Sequence, residues 1–178
     1  VSRCQTFIFK KPTDAILAEV ITRVAKKEGY TLAEGGAELV ALLASGAFRD
    51  ALGTLQKVIS YSKDKKITLK EIESVTGAPE ASLVHSFLDA LASNDIEKGY
   101  TVIRTASEQN IDMSLFTKMI IVKLRYALML RYAPQQSSHL EKSLSAQELS
   151  FLTNLVASKP STLSSHALTV LLEAYQRT

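Results

Sequence analysis

Tryptophan is absent from the 178 residues, and cysteine occurs once, as Cys4. One cysteine excludes an internal disulfide and a zinc site built on several thiolates, and it fits a reducing compartment. Proline and glycine are scarce, at four and seven residues. Their scarcity excludes collagen-like and low-complexity chains and argues against an all-β fold, which needs more turns. No run reaches the ~18 uncharged apolar residues of a membrane span. The most apolar stretch, Met113 to Tyr132, is interrupted by Lys118, Lys123, Arg125 and Arg131. Val1-Ser2-Arg3-Cys4-Gln5 has neither an initiator Met nor the apolar core of a signal peptide. The expectation is therefore a cytoplasmic segment of something longer. Neither sign of charge dominates, and a formal net charge of +3 does not by itself call for a nucleic-acid partner.

What is abundant is helical pattern. Hydrophobic residues make up 46% of the chain, enough for a buried core. Thr13 reads as an N-cap for a helix over 14–28 with Ile16, Leu17, Val20, Ile21 and Val24 as its apolar stripe. Further helices are expected over 33–45, with Leu39, Val40, Leu42 and Leu43 inward, and over 47–61, with Leu52, Leu55, Val58 and Ile59 inward. Thr68 and Glu71 form a capping box that opens a short helix ending at Gly77. Helices over 79–93, 95–109, 113–132, 146–158 and 162–176 follow. Thr6 to Phe9 is a short β-prone run without sheet partners. The fold class is all-α: three helices, then five to six more, with the boundary near the polar turn Ser62–Lys66. The helix over 113–132 is apolar on nearly every side, so it is buried within its domain or within an oligomer.

Few residues suggest chemistry. No G-x-x-x-x-G-K-[ST], G-x-G-x-x-G or H-E-x-x-H pattern occurs. His85, His139 and His166 are isolated in sequence and read as surface or packing residues, and no metal site is expected. Arg49 is the exception. It falls in the first turn of a helix behind Gly46, where a cation opposes the helix dipole. A first-turn Arg behind a Gly suits an anion site, with free N–H groups and a guanidinium aimed at phosphate. A solvated arginine is the other reading. Arg3, near the start, is on physical grounds only a terminal arginine.

These segments together resemble the bacterial DNA polymerase III subunit gamma/tau family, the AAA+ clamp loaders. Ser2-Arg3-Cys4-Gln5-Thr6-Phe7-x-Phe9 resembles the family's S-R-C-x-x-F-x-F segment. Gly46-x-x-Arg49-Asp50-Ala51-Leu52 resembles its sensor-2 motif, G-x-x-R-D-A-L. Ile72 to Pro79 is similar to the start of its collar. The resemblance implies the tail of an ATPase core over 1–11, a three-helix lid carrying sensor 2 over 12–65, and a helical collar for oligomerisation over 66–178. It implies that Arg3 is an arginine finger acting on a neighbouring subunit's ATP. Arg49 would be the sensor-2 contact to ATP, with Phe48 near the nucleotide base. ATP and Mg2+ would belong to the full-length protein, with no cofactor and no activity expected of these residues alone. The implied partners are other clamp-loader subunits (gamma/tau, delta and delta-prime) through the collar. The sliding clamp and primed DNA would be reached through the ATPase domain. A delta-prime-like subunit, a replication factor C-like subunit and a helical scaffold without a nucleotide role are the alternatives. Arg49 speaks against delta-prime, and Asp50 leans away from replication factor C.

Overall fold

The computed structural model describes residues 5, 7, 10–136, 144–157 and 162–177. Arg3 and most of the β-prone run Thr6–Phe9 lie outside the described residues, as does His139. The described residues form an all-α protein with one two-stranded ladder. The chain divides into two compact units, Val1–Ile72 and Glu73–Thr178.

The first unit holds helices α1 (Asp14–Lys27), α2 (Gly36–Leu43) and α3 (Phe48–Tyr61). Thr13 caps α1 by accepting from the Ile16 N–H at 3.3 Å. Lys26 and Lys27 occupy the last turn, where cations complement the dipole. The helices meet through alanines as much as through large residues. Ala18, Ala25, Ala37, Ala41, Ala44 and Ala51 are buried around Leu17, Ile21, Val40, Leu55 and Val58. Small side chains let helix axes approach, so the inward faces are rotated from those expected. Ile16 is 47% exposed, and Leu39, Leu42, Leu43, Leu52 and Ile59 are only half-buried.

Two short strands join this unit unexpectedly. β1 (Thr31–Leu32) pairs in parallel with β2 (Lys66–Ile67), aligning Thr31 with Lys66. The ladder draws the polar turn Ser62–Lys66 back against the end of α1 and buries Ile67. Helix α4 (Leu69–Thr76) begins with the expected capping box. The Glu71 carboxylate accepts from the Thr68 N–H at 2.7 Å, and Thr68 Oγ1 accepts from the Glu71 N–H at 3.3 Å. Hydrogen bonds donated to the carboxylate by the Thr68 N–H, the Thr68 hydroxyl and Ser62 lower the Glu71 pKa. Helix α2 starts three residues later than expected because Gly35 is left-handed at its N-cap (φ +81°).

The second unit contains α5 (Ala81–Ser93), α6 (Ile96–Glu108), α7 (Met113–Tyr132), α8 (Ala146–Ala157) and α9 (Ser165–Arg177). Asp95 and Asp112 cap α6 and α7 with their carboxylates. Helix α7 runs through the unit against α5, α8 and α9. It buries Phe116, Met119, Ile120, Leu124 and Ala127, with the Phe116 ring edge-on to Phe87 at 6.0 Å. Met113, Leu115, Val122, Tyr126, Leu128 and Leu130 are half-buried. Helix α9 starts at Ser165 rather than 162 because Thr162 is engaged elsewhere. Its N–H donates to the Ala92 carbonyl at 3.1 Å and its hydroxyl to the Leu91 carbonyl.

Two glycines of the α2–α3 region should respond oppositely to alanine. Gly46 has φ +85°, and an added Cβ would strike the Lys11 side chain. Gly46→Ala should cost at least about 1 kcal/mol, the left-handed penalty of an L-residue. Gly53 lies within α3 with open space around it. Gly53→Ala should stabilise by about 0.5–1 kcal/mol. Urea midpoints of the two variants check this, and equal shifts would refute it.

Candidate functional site

The turn between α2 and α3 governs the exposed arginine. The Ala44 N–H closes α2 by donating to the Val40 carbonyl. Ser45 (φ +49°) and Gly46 (φ +85°) are then both left-handed, which reverses the chain within two residues. The Ala47 N–H donates to the Ala44 carbonyl at 3.0 Å, and Ala47 returns to extended backbone as the N-cap of α3. Alanine has no side-chain acceptor, so no side chain caps this helix start. Phe48, Arg49 and Asp50 occupy the first turn and are exposed, Phe48 by 44%. Among the described residues Arg49 makes no ion pair. The site therefore combines uncapped N–H donors, the positive end of a helix, a free guanidinium and an exposed ring. Its chemistry is that of an anion receptor. Phe48 and Arg49 are neighbours in the first turn of α3, whereas Arg3 lies outside the described residues.

The first unit also carries an open cleft of about 420 Å³ between α1 and the start of α2. Thr22, Lys26, Tyr30, Glu34 and Glu38 supply its polar lining. It shares no residue with the α3 turn.

A second polar cluster, in the other unit, escaped sequence reasoning. Glu148 of α8 lies 3.0 Å from His85 Nε2 on α5 and 2.5 Å from Lys123 Nζ on α7. Lys123 Nζ is also 3.3 Å from His85 Nε2, and the His85 ring stacks on Phe151 with centroids 3.8 Å apart. The carboxylate is only 15% exposed. Burial alone would push its pKa up. The His85 hydrogen bond and the Lys123 charge outweigh burial and hold it below its ordinary value. His85, Lys123 and Glu148 are far apart in the chain, and only the packing of three helices unites them. Among the described residues no group of three or more His, Cys, Asp and Glu side chains could hold a metal ion. No helix there is long and apolar enough to cross a membrane.

No family model matches the chain. Curated relatives do. The DNA polymerase III subunit gamma/tau of Mycoplasma genitalium is 26% identical over 118 residues, covering 66% of this chain and 20% of the relative. The DNA polymerase III subunit tau of Bacillus subtilis is 27% identical over 142 residues, covering 80% of this chain and 25% of the relative. Human replication factor C subunit 4 is 28% identical over 103 residues, covering 58% and 28% respectively. Among solved structures, the Bacillus subtilis DNA clamp loader delta protein aligns over 94% of this chain and 50% of its own, at 16% identity. Its TM-score of 0.43 is too low to carry an argument. The chain is similar to clamp-loader subunits, and among these to the bacterial DNA polymerase III subunit gamma/tau. It spans only a quarter or less of the length of those gamma/tau relatives.

Glu148 generates a prediction with a definite sign. Its pKa is lowered on folding from an ordinary value of 4.5. The stability it contributes is therefore complete above about pH 4.5 and is lost as pH falls through the lower folded value. Glu148→Gln should weaken the second unit by about 2 kcal/mol at pH 7, the scale of hydrogen bonds to a charged group. The gap to the parent should close on acidification below pH 4.5. Hydrogen exchange of the α5, α7 and α8 amides reads it, and a gap constant with pH would refute it.

Proposed function

We propose that this chain supplies the lid and collar of a clamp-loader motor subunit, coupling ATP binding and hydrolysis to sliding-clamp loading in DNA replication. In this reading residues 12–65 are the lid and residues 66–178 the collar that joins other clamp-loader subunits. Arg49 is the sensor-2 residue, its guanidinium reaching the terminal phosphate of ATP. Phe48 flanks the base, and Arg3 acts as the arginine finger toward a neighbouring subunit's nucleotide. ATP and Mg2+ are held by residues outside these 178, since the chain has no phosphate-binding loop. The sliding clamp and primed DNA are likewise partners of the longer protein.

The observation that carries the reading is the exposed Arg49 on an uncapped helix start, inside Gly46-x-x-Arg49-Asp50-Ala51-Leu52. The residues fit a polyphosphate, because a first-turn cation is unfavourable until an anion arrives. Phosphate contact at this turn would couple nucleotide state to the position of α3, because two left-handed residues fix the helix start. A replication factor C-like role is the second reading, favoured by the match to human replication factor C subunit 4.

Arg49→Ala in the full-length protein, assembled with its partner subunits, tests the proposal. One charge-assisted contact is worth about 1.5–3 kcal/mol. DNA-stimulated ATP turnover should therefore fall by about 10- to 150-fold, with helix content unchanged. Arg3→Ala should lower it too, through the neighbouring subunit. Parental rates in both variants would leave a scaffold without a nucleotide role.

A further inference from the structure

The strand ladder has a consequence for charge. It ties the end of α1 to the turn after α3, with the Thr31 N–H donating to the Lys65 carbonyl at 2.8 Å. The Lys65 ammonium reaches across to Gly29, 3.8 Å from where a Cβ would stand. Residues 26–28 and 63–71 thus share one end of the first unit. They contain Lys26, Lys27, Lys63, Lys65, Lys66 and Lys70 against Glu28, Asp64 and Glu71. The balance of these nine groups is +3, equal to the formal net charge of the whole chain. The remaining residues are therefore neutral in sum, and the chain's excess sits here.

All six lysines are exposed, and none makes an ion pair among the described residues. Glu71 is engaged by Thr68 and Ser62 and does not neutralise them. The C-terminal dipoles of α1 and α3 explain part of the gathering. Each contributes about half a negative charge. Together they offset about one of the three excess charges and leave a field facing solvent.

We infer that this lysine-rich end of the first unit is a docking surface for the phosphate backbone of nucleic acid. Lysines on flexible stems match a row of phosphates without selecting a sequence, because each neutralised phosphate releases counterions. The surface is independent of the Arg49 turn and of any ATP chemistry there.

The test is fluorescence anisotropy of the 178-residue protein with a labelled DNA duplex of about 20 base pairs, between about 50 and 200 mM salt. Five or six lysine–phosphate contacts give a slope of log affinity against log salt of about −5. Lys63→Ala, Lys65→Ala and Lys66→Ala combined should reduce it to about −2, one step per lost contact. These substitutions leave the ladder intact, because it uses main-chain atoms only. The control combines Lys10→Ala, Lys57→Ala and Lys98→Ala, three exposed lysines elsewhere. It removes the same charge and should keep the parental slope. Circular dichroism verifies that both variants are folded. The proposal is overturned if the parent shows no binding at the lowest salt, or if the test variant keeps its slope. It is also overturned if the control loses as much. Displacement of the DNA by polyglutamate at equal charge would reassign the surface to an acidic polypeptide.

Discussion

Two consecutive left-handed residues, Ser45 and Gly46, set the geometry on which the first unit's candidate site depends. A single left-handed glycine commonly ends a helix. Two in succession turn the chain so tightly that α3 starts almost where α2 stops, with Ala47 as its cap. An alanine there leaves the first-turn N–H groups without a side-chain acceptor. The adjoining arginine then faces solvent beside the positive end of its own helix. Each choice is locally unfavourable: a non-glycine left-handed residue, a missing cap and a cation at the wrong pole. Their coincidence over five residues sets this turn apart from the capped helix starts at Thr13, Thr68, Asp95 and Asp112.

The second unit shows the opposite use of charge. Glu148 is half-buried, and the desolvation this imposes is offset by His85 and Lys123 from two other helices. Three helices must be in register for the cluster to exist, so it specifies how α5, α7 and α8 pack. Apolar contacts alone are less selective, because a helix as uniformly apolar as α7 can be rotated with little loss of burial. Replacing the cluster by apolar groups of matching shape need not destabilise the fold, whereas removing one partner leaves a buried charge unpaired.

Much of this architecture was legible in the sequence. Helix α7 has the expected limits because Asp112 caps it and Pro134 follows its end. The capping box at Thr68 and Glu71 was readable from spacing alone. The resemblance to gamma/tau, drawn from Ser2 to Phe9, Gly46 to Leu52 and Ile72 to Pro79, agrees with the relatives found. Less legible were features that depend on distant partners. Strands of two residues have no periodicity, so the Thr31–Lys66 pairing left no signal. The buried alanines were overlooked because hydrophobic periodicity weights large residues, while the helix contacts use small ones. Thr162 looked like a helix start, but its hydrogen bonds are spent on the end of α5. His85 appeared isolated because Glu148 lies 63 positions away.

The exposed and the buried charges of this chain answer different demands. A charge largely withdrawn from water, as on the half-buried Glu148, must find its counterpart within the fold or it destabilises that fold. An exposed charge has no such obligation, and its arrangement is free to answer to something outside the chain. Arg49 and the lysines around the β1–β2 ladder both lack internal partners among the described residues, yet they differ in kind. Arg49 stands at a helix start whose backbone two left-handed residues fix, and it suits a single anion. The lysines are spread over two segments joined only by main-chain bonds, and they suit an extended one. The α2–α3 turn and the strand ladder keep the two arrangements apart, at different places in one small helical unit.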